Sequence, residues 1–410
     1  MEQPINPDFL RYQAQTSPYP LGMEVAFAKG SYIYDRNQKP YLDFVAGVSA
    51  CALGHQHQRV NDAIKKQLDN YSHVMVYGEY AQGPAVQYCK LLASLLPDPL
   101  NKVYLVNSGT EACEGALKLA RLVTGRKQLI SCYNAYHGNT MGAMSVMGFE
   151  ERKTPFLPLL EDVDFITFNT EADIQKITTQ TAGIILESIQ GGAGFIQPEN
   201  DFLGKVRRRC DEVGALLIID EIQPGFGRTG KLFGFEHFGI VPDIIIVGKG
   251  MGGGMPVGAF IASEAHMDLL SHSPKLGHIT TFGGHPVIAA ACLATLQEIT
   301  ETNLMAEALE KEELFRSLLK HPLITEIRGR GLMLAAMTPS NEITNKAILA
   351  CQDRGLILFW LLFEGKAIRI TPPLTISKAE IKEGCKILLE VLDSLVSSLR
   401  FHEMNNSASL

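Results

Sequence analysis

The sequence has no excess of positive charge. It holds 37 lysines and arginines against 44 aspartates and glutamates, a formal net charge of −7 at pH 7. Because proteins grip a phosphate backbone through clustered lysine and arginine, this balance argues against a nucleic-acid partner. The chain also lacks a GxxxxGK[ST] loop, the usual nucleotide-binding loop. We therefore expect small molecules as its ligands.

The given sequence also shows no zinc-ligand cysteine pair, no membrane-length apolar run and no residue pattern of a secretory leader. The eight cysteines are spread through apolar or mixed segments, which predicts reduced, mostly buried thiols and no metal site. The first residues lack the basic-then-apolar order of a signal peptide, and no apolar stretch approaches the length of a bilayer span. These absences predict a cytoplasmic protein that does not associate with membranes.

Short apolar runs alternate with helical patterns from about residue 100 onward. The runs are VYLV (103–106), QLISCY (128–133), GIILE (183–187), ALLIID (215–220), IIIVG (244–248) and VGAFIA (257–262). Strands that are apolar on both faces are typical of a parallel sheet covered by helices. The pattern predicts an α/β core.

The chain of 410 residues is long enough for more than one hydrophobic core. Its last 110 residues mix short apolar strands with helical stretches at about 286–320 and 378–399, and residues 31–45 resemble a hairpin. We predict a large α/β domain over residues 50–300. A smaller α+β domain would combine residues 1–49 with residues 301–410.

Polar residues follow two of the predicted strands. The segment 107–111, NSGTE, lies between VYLV and a helical pattern, where backbone amides could hold a phosphate. An ordinary helix cap is the alternative. Asp220 ends ALLIID, so its carboxylate should lie at the carboxyl edge of the sheet, where open α/β folds bind ligands. Such a carboxylate could also cap a helix or bind a metal.

Lys249 follows a third predicted strand, IIIVG. An ammonium group is unusual next to such an apolar strand, because lysine side chains are mostly exposed to solvent. Partial burial lowers the pKa of an amine and makes it a better nucleophile toward an aldehyde. A structural salt bridge to Asp220 is the alternative. These three features together match what pyridoxal phosphate requires. They are a phosphate-binding segment at 107–111 (the phosphate seat), a carboxylate that can hold a pyridinium nitrogen, and a reactive amine.

Four segments resemble the class-III aminotransferases, which include acetylornithine, ornithine, 4-aminobutyrate and other ω-amino transaminases. They are NSGTEACEGALKLAR (107–121), YHGNTMGAMS (136–145), IIDEIQPGFGRTGKLFGFEHFG (218–239) and VGKGMGGGMPVGAF (247–260). Weaker similarity extends over nearly the whole chain. The resemblance implies fold type I, with a mostly parallel central sheet flanked by helices, and pyridoxal 5'-phosphate as cofactor.

The resemblance also implies the residues that surround the cofactor. Lys249 would carry it as an internal aldimine and shuttle the substrate proton, while Asp220 would pair with the ring nitrogen. Further cofactor contacts are implied for Ser108, Gly109 and Thr110 at the phosphate, Tyr136 on the ring face, Ile222 beneath the ring, Gln223 near the phenolic oxygen, and His137 and Glu187. Thr281 would reach the phosphate of a neighbouring subunit, since sites in this family are shared across a homodimer.

The implied reaction is a ping-pong transfer of an amino group from an ω-amino acid or amine to a keto acid, for which we expect 2-oxoglutarate. Arg369 matches the family's carboxylate-binding arginine, and Glu187 matches the glutamate that can pair with it. That pair predicts a switch that opens for a carboxylate. An aminomutase or decarboxylase on the same fold is an alternative. A non-catalytic nucleotide-binding protein is a remote one.

One position departs from the family pattern. Many acetylornithine, ornithine and 4-aminobutyrate enzymes have HGR where this chain has His137, Gly138 and Asn139. In those relatives the arginine forms a bidentate ion pair with the carboxylate of the donor, and a neutral amide cannot form this pair. We therefore expect Asn139 to contact substrate and to give the enzyme a different donor preference.

Overall fold

The computed structural model describes residues 5–407, with side chains up to residue 397. The strands are β1 (Val25–Lys29), β2 (Tyr32–Asp35), β3 (Pro40–Asp43), β4 (Lys102–Val106), β5 (Gln128–Cys132), β6 (Val163–Ile166), β7 (Thr181–Glu187), β8 (Leu216–Asp220), β9 (Ile244–Gly248), β10 (Gly258–Ala262), β11 (Glu326–Arg330), β12 (Met333–Met337), β13 (Leu356–Ile357), β14 (Phe359–Trp360) and β15 (Ala367–Ile370).

The α-helices are α1 (Pro7–Tyr12), α2 (Ala46–Ser49), α3 (Gln58–Asn70), α4 (Gly83–Ser94), α5 (Gly109–Thr124), α6 (Met141–Ser145), α7 (Glu150–Lys153), α8 (Phe202–Val213), α9 (Glu264–Met267), α10 (Pro286–Glu301), α11 (Leu304–Leu318), α12 (Asn341–Asp353) and α13 (Lys378–Ser407). Short 3₁₀ helices lie at Thr154–Phe156, Glu171–Lys176, Gly234–Phe238, Lys249–Gly252 and Asp268–Ser271.

A central sheet of the described residues has the strand order β4-β10-β9-β8-β7-β5-β6. Strands β5 to β9 pair in parallel, and β10 runs antiparallel to both β4 and β9. All six predicted strands lie in this sheet, which confirms the mostly parallel α/β fold. The edge strand β6 was not predicted, because its sequence VDFI is half-exposed and contains an aspartate.

Two smaller sheets contain strands from the ends of the chain. One has the order β1-β2-β3-β13, so the predicted hairpin of β2 and β3 is confirmed and pairs in parallel with a strand of the C-terminal part. The other has the order β11-β12-β15-β14. Residues from both parts of the chain share one hydrophobic core with the central sheet. The domain boundaries at residues 49 and 300 stay a prediction.

The expectation of one helical stretch over 286–320 is wrong. Helix α10 ends at Glu301 and α11 begins at Leu304, because Thr302 and Asn303 between them have low helix propensity. Helix α12 was not predicted, although Ser340 accepts a hydrogen bond from the backbone amide of Ile343 and so caps its start.

The eight cysteines are free thiols in the structure, six of them buried and Cys51 and Cys89 half-buried, as the sequence predicts. Within residues 5–407, no helix is both long enough and apolar enough to cross a membrane. The same part of the chain contains no group of three or more histidine, cysteine, aspartate or glutamate side chains arranged to hold a metal ion.

Helix α5 packs on the sheet through a position that has no side chain. A Cβ atom built on Gly115 would lie 2.4 Å from Cε1 of the fully buried Phe260. The Phe260 ring stacks on Tyr104 with 5.0 Å between ring centres and meets His278 edge-on, so it has little room to move away. Close packing of this helix on β10 therefore depends on a glycine at position 115.

We predict that Gly115→Ala lowers the free energy of unfolding by about 1 to 3 kcal/mol, because overpacking outweighs the gain in helix propensity. Urea unfolding followed by circular dichroism measures the change. The control is Gly83→Ala at the start of α4, where a Cβ atom meets nothing within 4 Å. This variant should match or slightly exceed the wild type. Equal stability of Gly115→Ala and wild type would contradict the packing argument.

Candidate active site

The predicted phosphate seat lies at the N-terminus of α5. Ser108 caps this helix, and its hydroxyl accepts a hydrogen bond from the backbone amide of Glu111 at 3.3 Å. The hydroxyl oxygens of Thr110 and Thr140 are 2.7 Å apart. Gly138, with φ of 133°, packs so closely on Thr110 that a Cβ atom there would lie 2.1 Å from its hydroxyl oxygen. The loop after β5 is thereby held against the amide-rich end of a 16-residue helix.

Asp220 is held by a buried histidine. Its Oδ2 lies 2.7 Å from Nδ1 of His137, and both side chains are almost fully buried. The other carboxylate oxygen accepts a hydrogen bond from the backbone amide of Ile222 at 2.9 Å. His137 Nε2 is buried and has no hydrogen-bond partner among the described residues. The sequence placed both residues at the site but did not predict that they pair.

Lys249 directly follows β9. Strand β9 pairs with β8, the strand that ends in Asp220. Burial lowers the pKa of its amine, and the positive charge of Arg369 adds to this effect while Asp220 opposes it. The side chain keeps partial access to solvent. Among the described residues its amine forms no ion pair or hydrogen bond, so the alternative of a structural salt bridge to Asp220 is not formed.

The backbone at Lys249 has a φ of 44°, in the left-handed region that non-glycine residues rarely adopt. Strain of this kind costs of order 1 to 3 kcal/mol and concentrates at functional sites. Here it accompanies a desolvated, unpaired amine at the end of a buried strand. The backbone therefore holds Lys249 where a structural role gives no reason to place a lysine.

Two further predicted residues follow Asp220. The Ile222 side chain contacts Gly109, where a built Cβ atom would lie 2.7 Å from Ile222 Cδ1. Gln223 donates a hydrogen bond to the hydroxyl of Ser49 at 3.4 Å. The residues after β8 thus extend from the start of α5 to the segment around α2. An apolar side chain, an anchored carboxylate, a helix N-terminus and a free amine are the groups that a phosphorylated pyridine aldehyde requires, so they fit pyridoxal phosphate.

The expected ion pair between Arg369 and Glu187 is not formed within the described residues. Glu187 instead accepts hydrogen bonds from the backbone amides of Gly191, at 2.9 Å, and Tyr136, at 3.4 Å. Burial raises the pKa of Glu187 to about 7. The sequence match identified both residues, but their partners depend on how the loop after β7 folds back.

Arg369 is 4% exposed and has no acidic partner among residues 5–397. Its Nε donates to the carbonyl oxygen of Trp360 at 3.3 Å, while its Nη1 is buried without a partner. The guanidinium lies 5.8 Å from the ring centre of Phe195. Burial lowers the pKa of Arg369 to about 10. A buried guanidinium with a free donor is suited to bind a carboxylate.

Two predicted site residues lie on the surface of the single chain. Asn139 is exposed on the loop between β5 and α6, and Thr281 is exposed before α10. The neighbouring Phe282 is 53% exposed. The structure gives neither Asn139 nor Thr281 a hydrogen bond to another predicted site residue within residues 5–397. Their proposed contacts would involve substrate and a second subunit, respectively.

The sequence profile of the family "Aminotransferase class-III" matches residues 12–392. The chain belongs to the class-III aminotransferases. An acetylornithine aminotransferase of Bacillus subtilis is 39% identical over 379 residues, 90% of this chain and 95% of the relative. A putrescine aminotransferase of Pectobacterium atrosepticum is 37% identical over 411 residues, 95% of this chain and 87% of the relative.

The ornithine aminotransferase from Toxoplasma gondii ME49 has a similar solved structure. It superposes with a TM-score of 0.88 at 28% sequence identity, covering 95% of this chain and 94% of that one. This class-III aminotransferase therefore has the fold type I architecture that its motifs imply. It is an enzyme, and its reaction is the transfer of an amino group.

Two glutamates that were not predicted as site residues help to hold the site of this aminotransferase together. Glu114 accepts hydrogen bonds from the backbone amides of Gly142, at 2.9 Å, and Ala143, at 3.1 Å. Glu221 is fully buried and accepts hydrogen bonds from the backbone amides of Gly234 and Phe235, each at 2.7 Å. Burial raises the pKa of Glu221 to about 8. The sequence signal that could have identified Glu114 is its acidic side chain among the apolar residues of α5.

Proposed function

We propose that the protein uses pyridoxal phosphate, held on Lys249, to move an amino group from an ω-amino acid or amine to 2-oxoglutarate by a ping-pong mechanism. The unpaired, desolvated amine of Lys249 next to the Asp220–His137 pair is the observation that carries this proposal. An amine whose pKa is lowered is neutral in a larger fraction of molecules at neutral pH, so it is available both to bind an aldehyde and to accept a proton.

Each residue of the site has a separate task in the proposed reaction. Bound pyridoxal phosphate supplies an aldehyde and a conjugated ring that takes up the electron pair released at the substrate carbon. Asp220 keeps the ring nitrogen protonated, and His137 holds the Asp220 carboxylate in place through the 2.7 Å contact. Lys249 Nζ would take the proton from the substrate carbon, hold it and give it back later in the reaction. The N-terminus of α5, at Ser108 to Thr110, binds the phosphate.

Arg369 supports a carboxylate-bearing acceptor. Its Nη1 has no partner among the described residues, and Glu187 is engaged by backbone amides rather than by the guanidinium. Burying a charge without a partner costs free energy, which a substrate carboxylate can offset. This arrangement corresponds to the open form of the proposed switch. Closure of Glu187 onto Arg369 for a neutral substrate end stays a prediction.

We further propose a cytoplasmic homodimer with shared active sites. Exposed side chains before α10 support it, because Thr281 forms no hydrogen bond to another predicted site residue within residues 5–397 and Phe282 is 53% exposed. A second subunit would cover this apolar surface and would bring Thr281 to the neighbouring phosphate.

Borohydride reduction should fix a pyridoxyl group on Lys249. We expect the purified, cofactor-loaded protein to be yellow, to lose this colour on reduction, and to yield one modified peptide that contains residue 249, located by mass spectrometry. Lys249→Ala is the control and should give no modified peptide there. Labelling of another lysine in the wild-type protein would contradict the proposed role of Lys249.

Asn139→Arg should change the donor preference. We predict that wild type uses ornithine, acetylornithine and 4-aminobutyrate poorly, and that Asn139→Arg raises kcat/KM for these donors roughly tenfold or more, because it adds a bidentate contact to their carboxylates. Steady-state kinetics across a donor panel measures the effect. Asn139→Gln, which adds length without charge, is the control. Efficient use of acetylornithine by wild type would show that Asn139 does not set the preference.

A further inference from the structure

A second unpaired arginine lies beside the proposed active site. Arg152 is exposed at the end of the short helix α7, and its guanidinium carbon is 5.7 Å from the ring centre of Phe363. The next residue, Lys153, pairs with Glu150 at 2.7 Å. No ion pair or side-chain hydrogen bond is formed by Arg152 within residues 5–397. Stacking on an aromatic face fixes the plane of a guanidinium and leaves its N–H donors free at the edge.

The aromatic ring beneath Arg152 belongs to the wall of the cofactor site. Phe363 stacks on Phe149 with 4.6 Å between ring centres and lies 6.5 Å from the ring of Tyr136. Burial raises the pKa of Tyr136, and the positive charge of Arg152 is near enough to oppose that rise. Arg152 is thus held beside the aromatic residue that we place against the cofactor ring.

The loop after β7 contacts or contains the aromatic rings on which Arg152 and Arg369 lie. The backbone amide of Phe363 donates to the carbonyl oxygen of Gly192 at 3.0 Å, and Phe195 from the same loop lies beneath the Arg369 guanidinium. Two guanidinium groups therefore rest on aromatic rings that contact one loop, and neither has a carboxylate partner among the described residues. Each guanidinium is therefore available to bind one carboxylate of a substrate that carries two.

We propose that Arg152 binds the distal carboxylate of a dicarboxylate keto acid while Arg369 binds the carboxylate next to the keto carbon. The inference rests on the proposed transfer to 2-oxoglutarate and names the group that recognises the far end of this acceptor. Asn139 is neutral and cannot form an ion pair with a carboxylate, so a cationic contact has to come from another element of the chain. Arg152 is a specificity-determining residue in this scheme, and it takes no part in proton transfer.

Kinetics with two acceptors test the assignment. Arg152→Gln should raise KM for 2-oxoglutarate roughly 10- to 100-fold, the usual effect of losing a hydrogen bond to a charged group, with kcat changed little. It should leave kcat/KM for pyruvate, which has a single carboxylate, within about twofold of wild type. Arg152→Lys should recover part of the loss, since it restores the charge without the planar fork.

Binding of unreactive acids separates this inference from the proposed reaction. The cofactor-loaded wild-type enzyme should bind glutarate roughly tenfold or more tightly than pentanoate in calorimetric titrations, because only glutarate has a second carboxylate. Arg152→Gln should remove this advantage and leave the Kd of pentanoate unchanged. The matched control Arg208→Gln changes an exposed arginine that pairs with Asp201 on another surface, and it should behave as wild type.

Three results would overturn the role of Arg152. They are equal binding of glutarate and pentanoate by wild type, an unchanged glutarate advantage in Arg152→Gln, and an equal loss of both acids in that variant. None of these titrations requires turnover. Absence of amino transfer to 2-oxoglutarate together with an Arg152-dependent preference for glutarate would therefore reject the proposed acceptor while leaving the dicarboxylate site in place.

Discussion

Burial of an amine beside two carboxylates, at the ends of adjacent parallel strands, is the constraint on which the site depends. Strand register sets Glu187 beside Asp220, and the next strand leads into Lys249. Each carboxylate has its own partner: His137 for Asp220, and the Gly191 amide for Glu187. The lysine is left without one, so desolvation lowers the pKa of its amine instead of being offset by an ion pair.

The substrate side of the site also contains cations that have no acidic partner among the described residues. Arg369 is buried with a free donor, and Arg152 is stacked on Phe363 without an acidic partner among the described residues. A protein that only needed stability would pair or expose a cation such as the buried Arg369. Arg369 therefore favours a ligand that brings the missing negative charge, and the exposed Arg152 offers a second cation beside the same loop.

Apolar runs were sufficient to predict every strand of the central sheet except the edge strand β6, because burial on both faces leaves a local signature that half-exposed β6 lacks. The pairing of His137 with Asp220 joins residues 83 positions apart and leaves no such signature. The orientation of Glu187 depends on the returning loop after β7, so the sequence could not show which form of the predicted Glu187–Arg369 switch the structure would have. Arg152 could not be identified because its significance comes from Phe363, far away in the sequence.

Turnover by Asp220→Asn tests the central claim most directly, because this change removes the charge and keeps the size of the side chain. If Asp220 keeps the ring nitrogen protonated, the variant should retain cofactor, measured by absorbance, yet lose roughly a hundredfold or more in kcat, about 3 kcal/mol at the barrier. A folded, cofactor-loaded Asp220→Asn enzyme with near-normal kcat would contradict the role given to the Asp220–His137 pair.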